Sequence, residues 1–232
     1  MDNQKKLITP RVIIQILFFI VLIPFLPLLV SWRWNWWEAW AYSLLSVLSF
    51  VVSRLFVARR HPDLIAERAR YMQHENAQAW DKQLAPLMGM AGILVLLVAG
   101  LDELLDWSPS FSLPVKIIAL VLIVGGYTLS SYALIENRFF SGMVRLQTDR
   151  GQQVVSSGPY RWIRHPGYAG ALLVYLGTPL FLDSTLAYLP TLFIIGLCII
   201  RTAMEDRFLQ EELEGYGDYA KQVRFRLFPG IW

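Results

Sequence analysis

The feature that most limits what this chain can become is its set of apolar runs. Residues 12–30, 37–57, 84–101 and 114–135 each approach the roughly 20 helical residues needed to cross a bilayer core. Two shorter runs follow at 168–182 and 186–200. Lipid offers the backbone no hydrogen-bond partners, so runs of this kind become helices. The expected fold is all-α, a polytopic membrane helix bundle of about six spans with cytoplasmic helices at its C-terminal end. The opening stretch MDNQKKLITPR leads into the first run with no small-residue cleavage site after it, so that run reads as a retained span.

Charge placement tests the span count. Six spans put segments 1–11, 54–83, 136–167 and 201–232 on one side of the membrane, and these hold 19 of the 21 Lys and Arg residues. Only Arg33 and Lys116 fall on the other side. That bias sets both termini in the cytoplasm. The net charge of +3 then reflects topology and gives no reason to expect a nucleic-acid partner. Trp32, Trp34, Trp36, Trp37 and Trp40 crowd the turn between the first two runs, as an interfacial aromatic belt would. Cys198, the single cysteine, offers neither a disulfide nor a thiolate metal cluster and is expected to be buried.

The chain reads as one membrane domain with two unlike parts. Residues 1–135 are spans joined by short connections and one amphipathic segment near 59–83. In that segment Leu64, Ile65, Ala69 and Met72 share one side of an interfacial helix, while Glu67, Arg68 and Arg70 stay wet. Pro62 suits the first turn of this helix. His61-Pro62-Asp63 also matches the tripeptide of the co-chaperone J-domain, but a membrane span on one flank argues against that reading. His61 reads as a helix-start residue and His74 as an exposed one. Residues 136–232 alternate apolar and strongly polar segments, ending in an expected cytoplasmic helix from about 201, a Gly-Tyr-Gly break and a second short helix.

The chemistry concentrates in RLQTDRGQQVVSSGPYRWIRHPGYAG, residues 145–170. Gly158-Pro159 signals a turn, and Pro166 keeps His165 out of the helical region while starting the next helix. Gly167 and Gly170 leave the first turns of that helix bare, so another group can approach its backbone. A helix start carries unpaired N–H groups and partial positive charge that suit a carboxylate, here with His165 and Tyr168 beside it. Arg201 follows the last apolar run, with Glu205 one turn beyond on the same face. The two either pair with each other or face the 145–170 loop across one interfacial pocket. There is no Cys/His cluster at metal spacing, no P-loop and no dinucleotide glycine fingerprint, so no metal is expected.

SSGPYRWIRHPGYAG, followed by two short spans and RTAMEDRFLQEELEGYGDYAKQVRFRLFPG, resembles the isoprenylcysteine carboxyl methyltransferase superfamily, which includes phospholipid methyltransferase relatives. The likeness covers residues 136–232. It implies an integral-membrane enzyme that takes methyl groups from S-adenosyl-L-methionine and acts on a lipophilic acceptor in the bilayer. It further implies that Gln147, Gln152, Gln153, Val154, Val155, Tyr160, His165, Pro166, Gly167, Tyr168 and Glu205 line the cofactor site. Arg201 would lie near the acceptor and act with Glu205 at the reacting centre. Members often carry Glu-Glu where this chain has Glu205-Asp206, a mild departure. Two alternatives stand beside this reading: an NADPH-dependent enzyme like the membrane sterol reductases, and a non-catalytic membrane accessory protein with the same fold.

Overall fold

The computed structural model describes residues 20, 22–70 and 73–232. These form eight α-helices: α1 (Leu26–Ser31), α2 (Trp37–Arg60), α3 (Pro62–Ala69), α4 (Asp81–Leu105), α5 (Leu113–Glu136), α6 (Pro166–Phe181), α7 (Tyr188–Glu212) and α8 (Tyr216–Gln222). No strand occurs among the described residues, as the apolar runs required. Helices α2, α4, α5 and α7, of 24 or 25 residues, are long and apolar enough to cross a membrane. Only 22–28% of each apolar stretch is buried within the protein. A soluble bundle would hide such faces; here Leu48, Leu55, Ile118, Val121, Leu189 and Leu192 point outward, which identifies an integral membrane protein. Residues 12–19 and 21 of the first expected span, 12–30, lie outside the described residues, and α1 begins within its C-terminal part.

Neighbouring helices close a ring: α2 packs on α5, α5 on α6, α6 on α7, α7 on α4, α4 on α1, and α1 returns to α2. Leu28, Ala39, Val95, Ala119, Ile123, Phe181 and Ile194 fill its centre. The tightest pair is α5 with α6, and glycine explains why. A Cβ on Gly170 would sit 2.4 Å from Ser130 Oγ and 2.5 Å from the Gly126 carbonyl, and one on Gly177 would sit 2.7 Å from the Ala119 carbonyl. The groups that approach these bare positions are thus the α5 backbone, in the small-residue packing typical of membrane helices. Gly170→Val is expected to destabilise the protein by about 1–3 kcal/mol, because a backbone carbonyl cannot step aside as a side chain can. Gly125→Val, at a position with open space around it, is the control. Equal thermal midpoints for the two variants in detergent would show that the α5–α6 contact is not the constraint.

Several expectations need correction. The final span and the cytoplasmic helix beyond it are one helix, α7, because neither proline nor glycine interrupts residues 197–214; the change in polarity at Arg201 marks a change of surroundings only. Between the end of α2 and the start of α4, the amphipathic segment 59–83 holds, among the described residues, one α-helix, the eight-residue α3, with Pro62 at its first turn as expected. Within it Glu67 is buried and Ala69 exposed, while Met72 lies outside the described residues. His74 is half-buried, its Nε2 3.1 Å from Glu67. Trp32, Trp34, Trp37 and Trp40 are exposed, but Trp36 belongs to the core. Cys198 is fully buried.

Candidate functional site

The connection between α5 and α6, residues 137–165, folds back beneath α6 and α7 and encloses a cavity of about 200 Å³. Its entry turn depends on Gly158, whose φ of +56° few side chains tolerate and whose Cβ position lies 2.9 Å from Glu136. His165 precedes α6, and Pro166 takes the helix's first position. The backbone N–H groups of Arg164 and His165 donate to the carbonyls of Phe225 and Arg226, each at 2.9 Å, so the C-terminal segment is strapped across this corner.

The structure brings Gln147, Gln152, Gln153, Val154, Val155, Tyr160, His165, Gly167, Tyr168, Arg201 and Glu205 together around that one cavity. Pro166 is buried at the helix start and does not line it. Their side chains are differently engaged. Gln147, 1% exposed, donates its amide to the Phe139 carbonyl at 2.7 Å and accepts from Arg150, while its backbone N–H donates to Gln152 Oε1 at 2.7 Å. These two glutamines therefore hold the loop's shape. Gln153 is exposed at the rim. Gly167 faces the cavity, but the Phe140 ring covers it, 2.5 Å from where a Cβ would stand. Tyr160 is buried, and burial pushes its hydroxyl well above the ordinary tyrosine range.

Arg201 and Glu205 do not pair. Arg201 is held in a fork by Asp81, Nε to Oδ1 at 2.7 Å and Nη2 to Oδ2 at 2.9 Å, and Nη2 also donates to the Gly142 carbonyl. Asp81, at the start of α4, is wholly buried and accepts in addition from the Val144 N–H at 2.6 Å. Glu205 instead accepts the Tyr168 hydroxyl at 2.6 Å, and the Arg201 guanidinium lies 5.6 Å from the Tyr168 ring centre. Among the described residues no cation comes within 4.0 Å of the Glu205 carboxylate, and Arg201 Nη1 makes no hydrogen bond.

Asp206, passed over as a mild departure, is the hub of a buried network. It is 0% exposed and accepts from Arg164 at 2.7 and 3.0 Å, Arg226 at 2.8 Å, Gln210 at 2.9 Å and the Tyr216 hydroxyl at 3.1 Å. His165 Nε2 lies 3.1 Å from the same carboxylate. The imidazole is thus fixed from behind by Asp206, and its ring rests 5.9 Å from that of Tyr168. Burial pulls the Arg164 guanidinium down, but its bonds to Asp206 outweigh that and raise it. Burial, aided by the Asp206 charge, pushes the Tyr216 hydroxyl well up.

On the opposite wall Arg145 spans Glu67 and Asp149, contacting Glu67 at 3.0 Å through both Nε and Nη2. Burial pushes the Glu67 carboxyl up, but the Arg145 hydrogen bonds outweigh it and hold the group below its ordinary 4.5. A carboxyl with a depressed folded pKa adds stability above its unfolded pKa, and that stability is lost as pH falls through the folded value. Acidification from about pH 5 to about pH 3 is therefore expected to lower the thermal midpoint of the native protein more steeply than that of Glu67→Gln. Parallel slopes would rule the pair out as a source of acid sensitivity.

Asp81, Asp206, Arg164, Arg145 and Tyr216 were not singled out from sequence. Each works with a partner far along the chain, up to 120 residues away for Asp81 and Arg201. Among the described residues no group of three or more His, Cys, Asp or Glu is arranged to hold a metal ion.

The protein is thus a helical integral-membrane protein whose site gathers on the polar side of its last two long elements. Its fold is that of a solved eukaryotic intramembrane Ras methyltransferase, isoprenylcysteine carboxyl methyltransferase, with a TM-score of 0.50 and 19% identity over 99% of this chain and 90% of that one. Residues 115–216 match the phospholipid methyltransferase family. The protein-S-isoprenylcysteine O-methyltransferase of Saccharomyces cerevisiae is 28% identical over 120 residues, 49% of this chain and 50% of that protein. A Delta(14)-sterol reductase of Mus musculus is 30% identical over 95 residues, 40% of this chain but 23% of the reductase. The chain spans less than two thirds of the length of these curated relatives. Together the matches support the isoprenylcysteine carboxyl methyltransferase and phospholipid methyltransferase superfamily.

Proposed function

We propose that this chain is a membrane-embedded methyltransferase that uses S-adenosyl-L-methionine to methylate a lipophilic acceptor. The observation that carries the reading is Glu205, a half-buried carboxylate on the cavity wall whose partner is a tyrosine hydroxyl and not a cation. A cationic ligand with amino and ribose donors suits such a group. Val154, Val155, Leu209 and Leu213 supply an apolar wall for an adenine ring. Arg201 Nη1 is left to orient an anionic group of the acceptor, with Asp81 keeping the guanidinium in place. We place the cavity and both termini on the cytoplasmic side of about six spans, on the strength of the Lys and Arg distribution.

When bound, S-adenosylmethionine supplies a methyl group already activated by its sulfonium charge. The chain's own task is to align donor and acceptor and to exclude water. Tyr168 steadies Glu205, and Asp206 steadies His165. Tyr160 and Tyr216, with hydroxyls pushed above the usual range, stay protonated and serve as donors. A carboxylate acceptor needs no general base at all.

The reductase alternative asks for free positive charge to hold a 2′-phosphate. Arg145 and Arg164 on the cavity wall are matched by buried carboxylates, and Arg201, held by Asp81, keeps only Nη1 for an anion. Calorimetric titration of the detergent-purified protein is expected to show binding of S-adenosylmethionine and none of NADPH. The reverse result would overturn this reading. Labelled methyl transferred into total lipid extract then identifies the acceptor, and label no higher than a Glu205→Ala control would argue for a non-catalytic protein.

A further inference from the structure

A second cavity, of about 330 Å³, lies mainly between α2 and α5, with hydroxyl groups set into a largely apolar lining. Five serines and Tyr127 line it. Ser46, Ser53 and Ser130 spend their hydroxyls on neighbouring carbonyls, while those of Ser49 and Ser131 bond to nothing among the described residues. At its polar end stands Arg54, half-buried, with its guanidinium 4.5 Å from the Phe50 ring centre. Among the described residues Arg54 has no hydrogen bond and no carboxylate within 4.0 Å. Arg59, Arg70, Arg161 and Arg224 also lack a carboxylate, but they are exposed to solvent. Arg54 lies six residues inside the end of α2, about 9 Å along the helix. A half-buried cation with no partner among the described residues is costly at such a depth unless an anion joins it, and intramembrane charges of this kind mark ligand sites.

The groove also adjoins the candidate active site. Arg68 and Phe140 line both cavities, and Arg68 Nη1 donates to the Phe140 carbonyl at 3.1 Å with its guanidinium 5.5 Å from the ring. These two residues form the wall between the spaces.

We infer that the α2–α5 groove is where the methyl acceptor docks, and that the acceptor is a lipid carrying an anionic carboxylate or phosphate group that pairs with Arg54, separate from the group near the reacting centre that Arg201 orients. Its apolar chains lie toward the bilayer and its reacting end faces the first cavity across the Phe140–Arg68 wall. The assignment of this lipid as methyl acceptor rests on the methyltransferase reading; the assignment of the groove as an anionic-lipid site does not.

The test is native mass spectrometry of the full chain in detergent, offered equal amounts of dioleoyl phosphatidic acid and dioleoylglycerol, which differ by the anionic group. The wild type is expected to retain phosphatidic acid about tenfold over dioleoylglycerol, the strength of one charge-assisted pairing. Arg54→Gln is expected to erase the preference, Arg54→Lys to keep most of it, and Arg59→Gln, an exposed arginine on the same helix, to leave it unchanged. Ser131→Leu, which fills the groove without touching its charge, is expected to weaken retention of both lipids. A preference that survives Arg54→Gln, or that Arg59→Gln erases equally, overturns the proposal. Displacement of phosphatidic acid by millimolar inorganic phosphate would assign the site to a soluble anion and overturn the lipid. S-Adenosylmethionine titration of the wild type separates the two readings, because a lipid preference without cofactor binding refutes the methyltransferase assignment alone.

Discussion

Asp206→Ala is expected to lower stability by about 3–5 kcal/mol, among the largest effects of any single substitution in this chain. The carboxylate is wholly buried and, among the described residues, is the sole acid matched to the Arg164 guanidinium, which is itself only 7% exposed. Removing it strands that cation, leaves the Tyr216 hydroxyl without its acceptor and frees His165 from the group behind it. The damage spreads to the tail, since Arg164 also donates to the carbonyls of Val223 and Arg224, and Arg226 joins Asp206 from the same segment. At the usual scaling for a chain of this size the thermal midpoint falls by on the order of 10 °C. Limited proteolysis is expected to cut residues 223–232 of the variant first. A midpoint within a degree or two of wild type would mean that the network is not what anchors this corner. Asp206→Asn, which keeps the acceptor but loses the charge, is expected to fall between the two.

What was legible in the sequence follows from how far each determinant reaches along the chain. Spans, the Gly158-Pro159 turn and the His165-Pro166 helix start are set by runs of like residues or by neighbours, so they could be read directly. The convergence of the 145–170 loop with the Arg201 and Glu205 turn was legible because both lie at polar edges of adjoining spans. Pairing was not. Periodicity placed Glu67 on a wet face of α3, since it reports which side of a helix a residue occupies and says nothing of Arg145, 78 positions away. Likewise, a pairing of Arg201 with Glu205 one turn on stays open in the sequence, whereas a bidentate fork from Asp81 across the bundle wins. Asp206 looked like a conservative substitute because its value lies in five partners that local sequence does not reveal. The polarity drop at Arg201 was misread as a helix end because hydropathy measures surroundings and not backbone continuity.

On the proposed reading two adjacent acids on α7 divide the labour, and Glu205→Gln tests the other half. This variant is expected to lose about 10- to 100-fold in affinity for S-adenosylmethionine, the effect of replacing one charged acceptor by a neutral one in a half-buried site. Its stability is expected to change by less than about 1 kcal/mol. No cation is left stranded, and the glutamine carbonyl can still accept the Tyr168 hydroxyl now bonded to Oε2 at 2.6 Å. Tyr168→Phe is expected to weaken affinity less, since it removes only the group that steadies the carboxylate. Calorimetric titration together with thermal midpoints of the three proteins makes the check. If Glu205→Gln binds the cofactor as tightly as wild type, the carboxylate is not the cofactor's partner and the reading built on it fails. If it unfolds as Asp206→Ala does, Glu205 is a packing residue after all. Affinity lost at position 205 with the fold intact, and fold lost at position 206, is the pattern that a ligand-facing acid beside a framework acid requires.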